Sequence, residues 1–211
     1  ASLGLTASGV AAGDTALGEV TLEAGGTREQ HNASLRVQGP LLDLDLALRG
    51  ALEGEAWQGR LTSAVLEASG QRWRLRNPTG IRRTADGSVE LAAHCWVSGE
   101  ASLCGSDQRL MPEPRLRYRL RDFQMGSLAE LFPDDFAWQG ELNADLSLDL
   151  PASGPNGTLR IDAGSGVLRM READTWHDFP YQALALNSRL LPQRIDSELR
   201  FDGGELGELT V

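Results

Sequence analysis

The two cysteines are the residues of this 211-residue chain whose spacing best predicts chemistry. Two thiols alone make a poor zinc site, and Cys95 and Cys104 do not have the CxxC spacing of redox motifs. A turn at Gly99-Glu100 would place them opposite each other in a hairpin, at a non-hydrogen-bonded site where a disulfide fits. We therefore predict a structural disulfide, which implies an oxidising compartment. A redox or metal-binding pair is the alternative.

The three histidines do not predict a catalytic site. They lie far apart in the sequence, at His31, His94 and His177. His94 adjoins Cys95, but successive strand residues point to opposite faces of a sheet, which disfavours a Cys–His couple. We expect each histidine at a surface or a strand edge.

The many carboxylates could include a glycosidase-like pair, with Asp43/Asp45 and Asp134-Asp135 as examples. These residues fall where a solvated strand face or a loop would put them, which is the simpler interpretation. The sequence has no GxSxG nucleophile motif and no glycine-rich phosphate loop before a helix. We expect a protein that is not an enzyme and that needs no cofactor or metal.

The charge pattern argues against nucleic-acid binding. The formal net charge is −10, every basic residue is Arg, and acidic and basic residues are interleaved rather than clustered. No apolar run approaches the ~20 residues that span a bilayer, and no secretion signal is present. Both ends of the chain fall within alternating stretches, so we expect a piece of a longer protein.

Alternation of apolar and polar residues is the main structural signal. Such segments place one apolar and one solvated face on a sheet, as in antiparallel rather than doubly covered parallel sheets. The clearest apolar positions are Leu42, Leu44, Leu46, Leu48; Leu116, Tyr118, Leu120; Leu142, Ala144, Leu146, Leu148, Leu150; Leu159, Ile161; and Leu199, Phe201.

Two turn signals predict hairpin registers. A two-residue turn at Asp86-Gly87 would pair Arg83 with Glu90, which are opposite charges across the ladder. A turn at Ser69-Gly70 predicts the pairs Glu67/Arg72, Leu66/Trp73 and Ala64/Leu75.

One segment predicts a short helix. Ser127 is a candidate N-cap, Glu130 its capping-box partner, and Pro133 a stop signal. Its apolar side would contain Leu128, Leu131 and Phe132. A helix of one to two turns is not stable alone, so we expect it to pack on the sheet.

A short internal repeat is also present. Ala56-Trp57-Gln58-Gly59 recurs as Ala137-Trp138-Gln139-Gly140, each time followed by an alternating segment. The match is either chance in an Ala/Gly-rich chain or the trace of a structural repeat.

The predicted sheet has more apolar surface than the helix can cover. We predict about 13 to 16 strands, and a single sheet of that size would run on the order of 60–75 Å. Ordinary proteins do not leave such a surface exposed. Either the sheet closes into a sandwich or barrel, or it curls into a trough that binds an apolar ligand.

Several segments together resemble the TamB family. They are Phe123-Gln-Met-Gly-Ser-Leu128-Ala-Glu-Leu131-Phe-Pro133, Trp138-Gln-Gly140-Glu-Leu142-Asn-Ala-Asp-Leu146, Trp57-Gln-Gly59-Arg-Leu61, Trp73-Arg-Leu75-Arg-Asn-Pro78, the Cys95–Cys104 hairpin, and the loop from Pro151 to Ile161. The resemblance covers roughly residues 55 to 170. The order of these segments is more specific than any one of them.

The resemblance implies a fold and a function. TamB-like proteins belong to the AsmA-like, bridge-like lipid transfer group, in which a curled sheet called a β-taco forms an apolar groove. It implies a periplasmic location, an inner-membrane anchor outside this segment, phospholipid as ligand, and a TamA- or BamA-type outer-membrane barrel as partner. The predicted function is a conduit that shields acyl chains of phospholipids between the two membranes. The alternative is a module that binds nascent outer-membrane β-strands by β-augmentation.

These expectations give one elongated β-taco fragment over residues 1–211, with a possible subdivision near residues 122–137. The predicted groove lining is Leu42, Leu44, Leu46, Leu48, Leu146, Leu148, Leu184, Leu186, Leu199 and Phe201. In a closed sandwich the same residues would form the core.

Overall fold

The chain is an all-β protein. The structure is a computed structural model that describes residues 2–12 and 15–211, and these contain 19 strands whose registers are antiparallel. The prediction of an antiparallel-rich all-β fold with one short helix near residues 127–132 is confirmed. The sequence suggested fewer strands because Val89–Leu91, Gln108–Met111 and Glu208–Thr210 are too short to show an alternating pattern.

Two compact units divide the chain. The first contains Ala1–Ser98 and Ser106–Pro112, and the second contains Gly99–Gly105 and Glu113–Val211. Residues 122–137, where the sequence suggested a subdivision, lie inside the second unit. The single elongated fragment stays a prediction.

The first unit is mostly a meander of long strands. Its strands are β1 (Ser2–Ala12), β2 (Thr15–Gly26), β3 (His31–Gln38), β4 (Asp43–Glu53), β5 (Ala56–Ala68), β6 (Gln71–Leu75), β7 (Thr79–Arg83), β8 (Val89–Leu91), β9 (His94–Ser98) and β11 (Gln108–Met111). Strands β1 to β6 pair in sequence order. Strand β7 pairs with β5 and β8, β9 pairs with β6, and β11 pairs with β8.

The second unit has a main ladder and a side branch. Its strands are β10 (Ala101–Gly105), β12 (Arg115–Gln124), β13 (Phe136–Asp149), β14 (Asn156–Asp162), β15 (Gly166–Glu172), β16 (Thr175–Tyr181), β17 (Ala183–Leu191), β18 (Arg194–Asp202) and β19 (Glu208–Thr210). The main ladder runs β10-β12-β13-β14-β17-β18-β19. The branch is the hairpin β15–β16, which pairs with the first part of β13.

The hairpin β5–β6 has the register that its turn predicts. Ser69 and Gly70 both have positive φ, at 49° and 71°, as a two-residue primed turn requires. Leu66 faces Trp73 and Glu67 faces Arg72, and the last two side chains form an ion pair. The turn residues therefore determine which side chains meet across this ladder.

The register predicted from the turn at Asp86-Gly87 was wrong by one residue in the hairpin β7–β8. Arg83 faces Val89, and Arg82 instead pairs with Glu90 and forms the ion pair. The loop is one residue longer than predicted, because the Thr84 and Ser88 backbones close it (N to O, 2.9 Å) and Gly87 has φ 88°. Hydrogen bonds from the Thr84 hydroxyl and then from the Ser88 backbone hold the pKa of the Asp86 carboxyl below its ordinary value. The side chain of Asp86 thus stabilises the wider loop.

The short helix exists, but it is not capped as predicted. It is a 3₁₀ helix over Met125–Leu131 whose N-cap is Gln124, without a side-chain capping bond. Ser127 lies inside it, and its hydroxyl donates to the Gln124 carbonyl at 2.6 Å. Met125 is the buried residue, whereas Leu131 is 59% exposed. The capping-box interpretation was therefore wrong, because the helix begins at Met125, two residues before Ser127. The prediction that Leu131 lies on the apolar side was also wrong, because this side chain is largely exposed.

In two strands the alternation of apolar and polar residues shifts by one residue, and a β-bulge at that point keeps the apolar side chains on one face. In β5 the alternation passes from Leu61 to Ala64, and Thr62 is the extra residue between the pairs Ala47/Ser63 and Leu48/Leu61. In β12 the pattern passes from Leu120 to Phe123 at a similar irregularity. A one-residue insertion changes the phase of a strand, so each bulge restores the apolar face beyond it.

Candidate functional site

The first unit presents apolar side chains in register on one face. Residues directly opposite each other across a ladder project to the same face. Two rows run across consecutive strands: Leu5, Leu22, Leu35, Leu46 and Ala64 from β1 to β5, and Val20, Val37, Leu44, Leu66 and Trp73 from β2 to β6. We call this surface the first apolar face.

The second unit has a corresponding surface, the second apolar face. One row runs through β12, β13, β14, β17 and β18 as Leu120, Ala144, Ile161, Leu186 and Leu199, and another as Leu116, Leu148, Gly157, Leu190 and Ile195. Leu184 faces Phe201 further along β17 and β18.

Both faces remain accessible. Among the described residues, no large side chain is less than 2% exposed, and the buried hydrophobic residues are few. In each row the long aliphatic side chains are half-buried or exposed rather than buried. A sealed sandwich or barrel of this size would bury many leucines completely. The leucines of each unit are therefore only partly removed from solvent.

The ten residues predicted to line a groove divide between the two units. Leu44, Leu46 and Leu48 lie in β4 on the first apolar face, and Leu42 lies just before β4. Leu146, Leu148, Leu184, Leu186, Leu199 and Phe201 lie on the second. Each of the ten is half-buried. Their role as lining stays a prediction.

The same faces contain ten further apolar residues beside the predicted lining. They are Val20, Leu22, Leu35, Val37, Leu61, Leu66, Leu116, Leu120, Leu159 and Ile161. Most of them alternate with polar residues, so the period of two could have identified them. Leu61 and Leu66 are separated by the bulge in β5, which hides the pattern.

The opposite side of each sheet is polar. On β12 and β13, Arg117 donates to both carboxylate oxygens of Asp149 (2.9 and 3.1 Å), and Arg121 does the same to Asp145 (2.9 and 3.0 Å). On β3 and β4, Arg36 lies 2.7 Å from Asp45. Because such exposed ion pairs are each worth little in stability, their main consequence is that this side is solvated.

Each apolar face ends at an aromatic cluster built on a pair of glycines. In the first unit Gly50 faces Gly59, and the Trp57 indole occupies the space where their Cβ atoms would be. The Trp57 Nε1–H donates to His31 Nε2 at 2.6 Å. We call these residues the first glycine–aromatic cluster.

The second glycine–aromatic cluster lies where β13 pairs with β15. Gly140 faces Gly166, and here the Tyr181 phenol covers both glycines. The Trp138 Nε1–H donates to the Tyr181 hydroxyl at 2.8 Å. Tyr181 is 2% exposed, and its ring centroid lies 6.0 Å from that of Phe201.

The remaining residues considered for chemistry are the two cysteines and the three histidines. Cys95 and Cys104 are joined in a disulfide, as predicted. His177 is exposed, but His94 is 7% exposed with Nδ1 2.9 Å from the Ala92 carbonyl. Of the two places predicted for it, a surface or a strand edge, His94 does not lie at the surface, because this backbone bond allows an imidazole to be buried. The described residues contain no cluster of three or more His, Cys, Asp or Glu side chains that could hold a metal ion.

The fold and its two faces define a class of protein: an all-β protein whose antiparallel sheets keep an accessible apolar side. The family model described as "TamB, N-terminal domain" matches residues 1–211, and the chain belongs to the TamB family. No solved structure matches it.

The family gives the biological context at a coarse level. TamB proteins are membrane-anchored, span the periplasm and act with an outer-membrane partner in outer-membrane assembly and bridge-like lipid transfer. Within residues 2–12 and 15–211, no helix has the length and apolar content that crossing a membrane requires.

Proposed function

We propose that the two apolar faces shield the acyl chains of phospholipids in transit between the inner and outer membranes. The observation that carries this proposal is that leucine rows continue from strand to strand while their side chains stay partly accessible. Hydrocarbon laid on such a row removes apolar surface from water, which is favourable by about 25 cal/mol per Å². A phospholipid is therefore a ligand that these half-buried leucines can bind.

The proposed mechanism is passive and needs no catalytic residue. Neighbouring strands are separated by about 4.8 Å, so consecutive leucines of one row can contact the same acyl chain. Because these contacts are non-directional, a chain can move along a row without breaking specific bonds. The headgroup stays in water, and net movement depends on the ends of the path. The protein would then be a binding conduit and not an enzyme, and an outer-membrane barrel of the TamA or BamA type would be the partner of the longer protein.

A photo-crosslinking experiment tests the orientation of the lipid. A photoreactive amino acid is placed at Leu148 or Leu48 on the apolar faces, and at Ser147 or Ala47, the preceding residues of the same strands, as controls. The purified chain is then irradiated with radiolabelled phosphatidylethanolamine. We expect labelling at the leucine positions and little at the controls, because successive strand residues project to opposite faces. Equal labelling of both faces would contradict the proposal.

A charge substitution tests the same face by function. Leu146→Asp or Leu148→Arg places a charge where the acyl chain would lie, which should abolish lipid binding while the strands persist. Far-UV circular dichroism establishes whether the fold is retained. A variant that unfolds would show that these leucines act as a core, and the proposal would lose this support. The β-augmentation of nascent outer-membrane strands stays the alternative prediction.

A further inference from the structure

The second apolar face contains a polar interruption. Ser188 of β17 lies directly opposite Ser197 of β18, and their hydroxyl oxygens are 2.9 Å apart. Leu186 faces Leu199 on one side of this pair, and Leu190 faces Ile195 on the other. The two hydroxyls thus lie between two apolar pairs.

The position of the two serines follows from the strand pattern. In β17, Ser188 shares its face with Leu186 and Leu190, whereas Asn187 and Arg189 project to the polar side. The row that contains the serines continues through Leu159 and Leu146 to Tyr118. The serine pair therefore lies on the second apolar face, where Ser188 is half-buried and Ser197 is exposed.

The two serine hydroxyls can donate one more hydrogen bond than the bond between them uses. Each hydroxyl has one hydrogen to donate, and the Ser188–Ser197 bond uses one of the two. Hydrocarbon placed over the pair would take the second hydroxyl hydrogen from water without giving it an acceptor, which is unfavourable. A ligand with a carbonyl oxygen at this point would accept that hydrogen. The pair thus discriminates between parts of an amphiphilic ligand.

We infer that Ser188 and Ser197 bind the ester carbonyl region of a glycerolipid, whose acyl chains then lie on the flanking leucine rows. This inference rests on the proposed function, because it requires lipid on the second apolar face. It adds a fixed position for the ligand: the leucines bind hydrocarbon at any point, whereas the serine pair binds a polar group at one point. Binding there would favour ester-linked lipids.

Two probe lipids test the inference. They are dioleoyl phosphatidylethanolamine, whose chains are ester-linked, and its dioleyl ether analogue, which has the same headgroup and chains but no carbonyl. We expect the 211-residue protein to bind the ester lipid between about twofold and about tenfold more tightly, which corresponds to one net hydrogen bond. In the double variant Ser188→Ala/Ser197→Ala, the two affinities should become equal while binding persists. Native mass spectrometry or a fluorescence competition assay gives the ratio.

Two further variants control the comparison. Ser147→Ala makes the same substitution on the polar side of β13 and should keep the preference. Ser188→Thr/Ser197→Thr retains the hydroxyls and should also keep it, which separates hydrogen bonding from a general effect on the strands. Circular dichroism verifies the fold of each variant.

The outcomes separate the inference from the proposed function. If the wild-type chain binds neither lipid, the proposed function fails and the inference fails with it. If it binds both lipids equally, or if the double alanine variant keeps the ester preference, the inference is overturned while acyl-chain binding stands.

Discussion

The two glycine–aromatic clusters start from the same tetrapeptide and reach different arrangements. In both, the Trp of Ala-Trp-Gln-Gly lies two residues before a glycine that faces a second glycine across the ladder. In the first cluster the Trp57 ring itself covers the glycines and His31 accepts its N–H. In the second, Tyr181 covers them and also accepts the Trp138 N–H. The tetrapeptide thus supplies one glycine of each pair and the Trp that donates the hydrogen bond. The facing glycine, called here with it a glycine platform, and the hydrogen-bond acceptor come from other strands.

Both clusters also lie on long strands that change their partner along their length. Strand β5 pairs with β7 over residues 57–61 and with β6 over residues 65–68. Strand β13 pairs with β15 over residues 136–140 and with β14 over residues 143–149. In each cluster the glycine pair lets an aromatic ring pack closely on the backbone. The repeated tetrapeptide therefore places a glycine opposite another glycine in both units.

The largest expected difference between the clusters comes from removing the covering ring. Tyr181→Ala should lower the free energy of unfolding by about 3–5 kcal/mol, because this buried ring fills the space over two glycines. Trp57→Ala should cost less, because the Trp57 ring is only half-buried. Urea unfolding followed by circular dichroism measures both. A loss for Trp57→Ala equal to or greater than that for Tyr181→Ala would contradict the comparison.

An added methyl group on either platform tests the close packing of the ring. Gly50→Ala and Gly166→Ala should each destabilise the protein by about 1–3 kcal/mol, since the new Cβ would overlap the Trp57 indole or the Tyr181 phenol. Gly4→Ala in β1 is the matched control, because nothing lies within 4 Å of its Cβ position. The same urea assay should show little change for the control. Three similar values would mean that the rings move aside without cost.

The smallest expected difference concerns the hydrogen-bond acceptors. Tyr181→Phe keeps the ring and removes the hydroxyl that accepts from Trp138, which should cost about 1–2 kcal/mol because this acceptor is buried. His31→Phe removes the acceptor of the Trp57 N–H, but water can reach that half-buried site, so its effect should be below about 1 kcal/mol. Thermal unfolding of the two variants gives the comparison. A larger effect for His31→Phe would show that His31 stabilises its cluster by more than this bond.

The apolar faces were largely predictable from the sequence, but their bulges were not. The alternation in β4 and in the second half of β13 identified leucines that the registers place in continuous rows. The slips at Leu61/Ala64 and Leu120/Phe123 look like the end of a pattern in the sequence. They are bulges that return the apolar side chains to the same face of the sheet. Only the pairing of β5 with β4 and of β12 with β13 shows this.

The two predicted hairpin turns also differ in how well the sequence predicted them. Ser69-Gly70 predicted its hairpin correctly because both residues adopt positive φ in a two-residue turn. At Asp86-Gly87 the Asp side chain bonds to Thr84 and Ser88 and widens the loop by one residue. A dipeptide signal does not include such bonds, so the predicted partner of Glu90 was off by one position.

The sequence alone determined the all-β class, the segregation of leucines to one face, and the disulfide, because these depend on a period of two and on local spacing. Tertiary structure alone decided which aromatic side chain covers each glycine pair, and it placed Ser188 opposite Ser197 among leucines. The physical reason is that strand pairing joins residues distant in sequence. Contacts across a ladder depend on a register that bulges and loop lengths set, and alternation within one strand does not encode it.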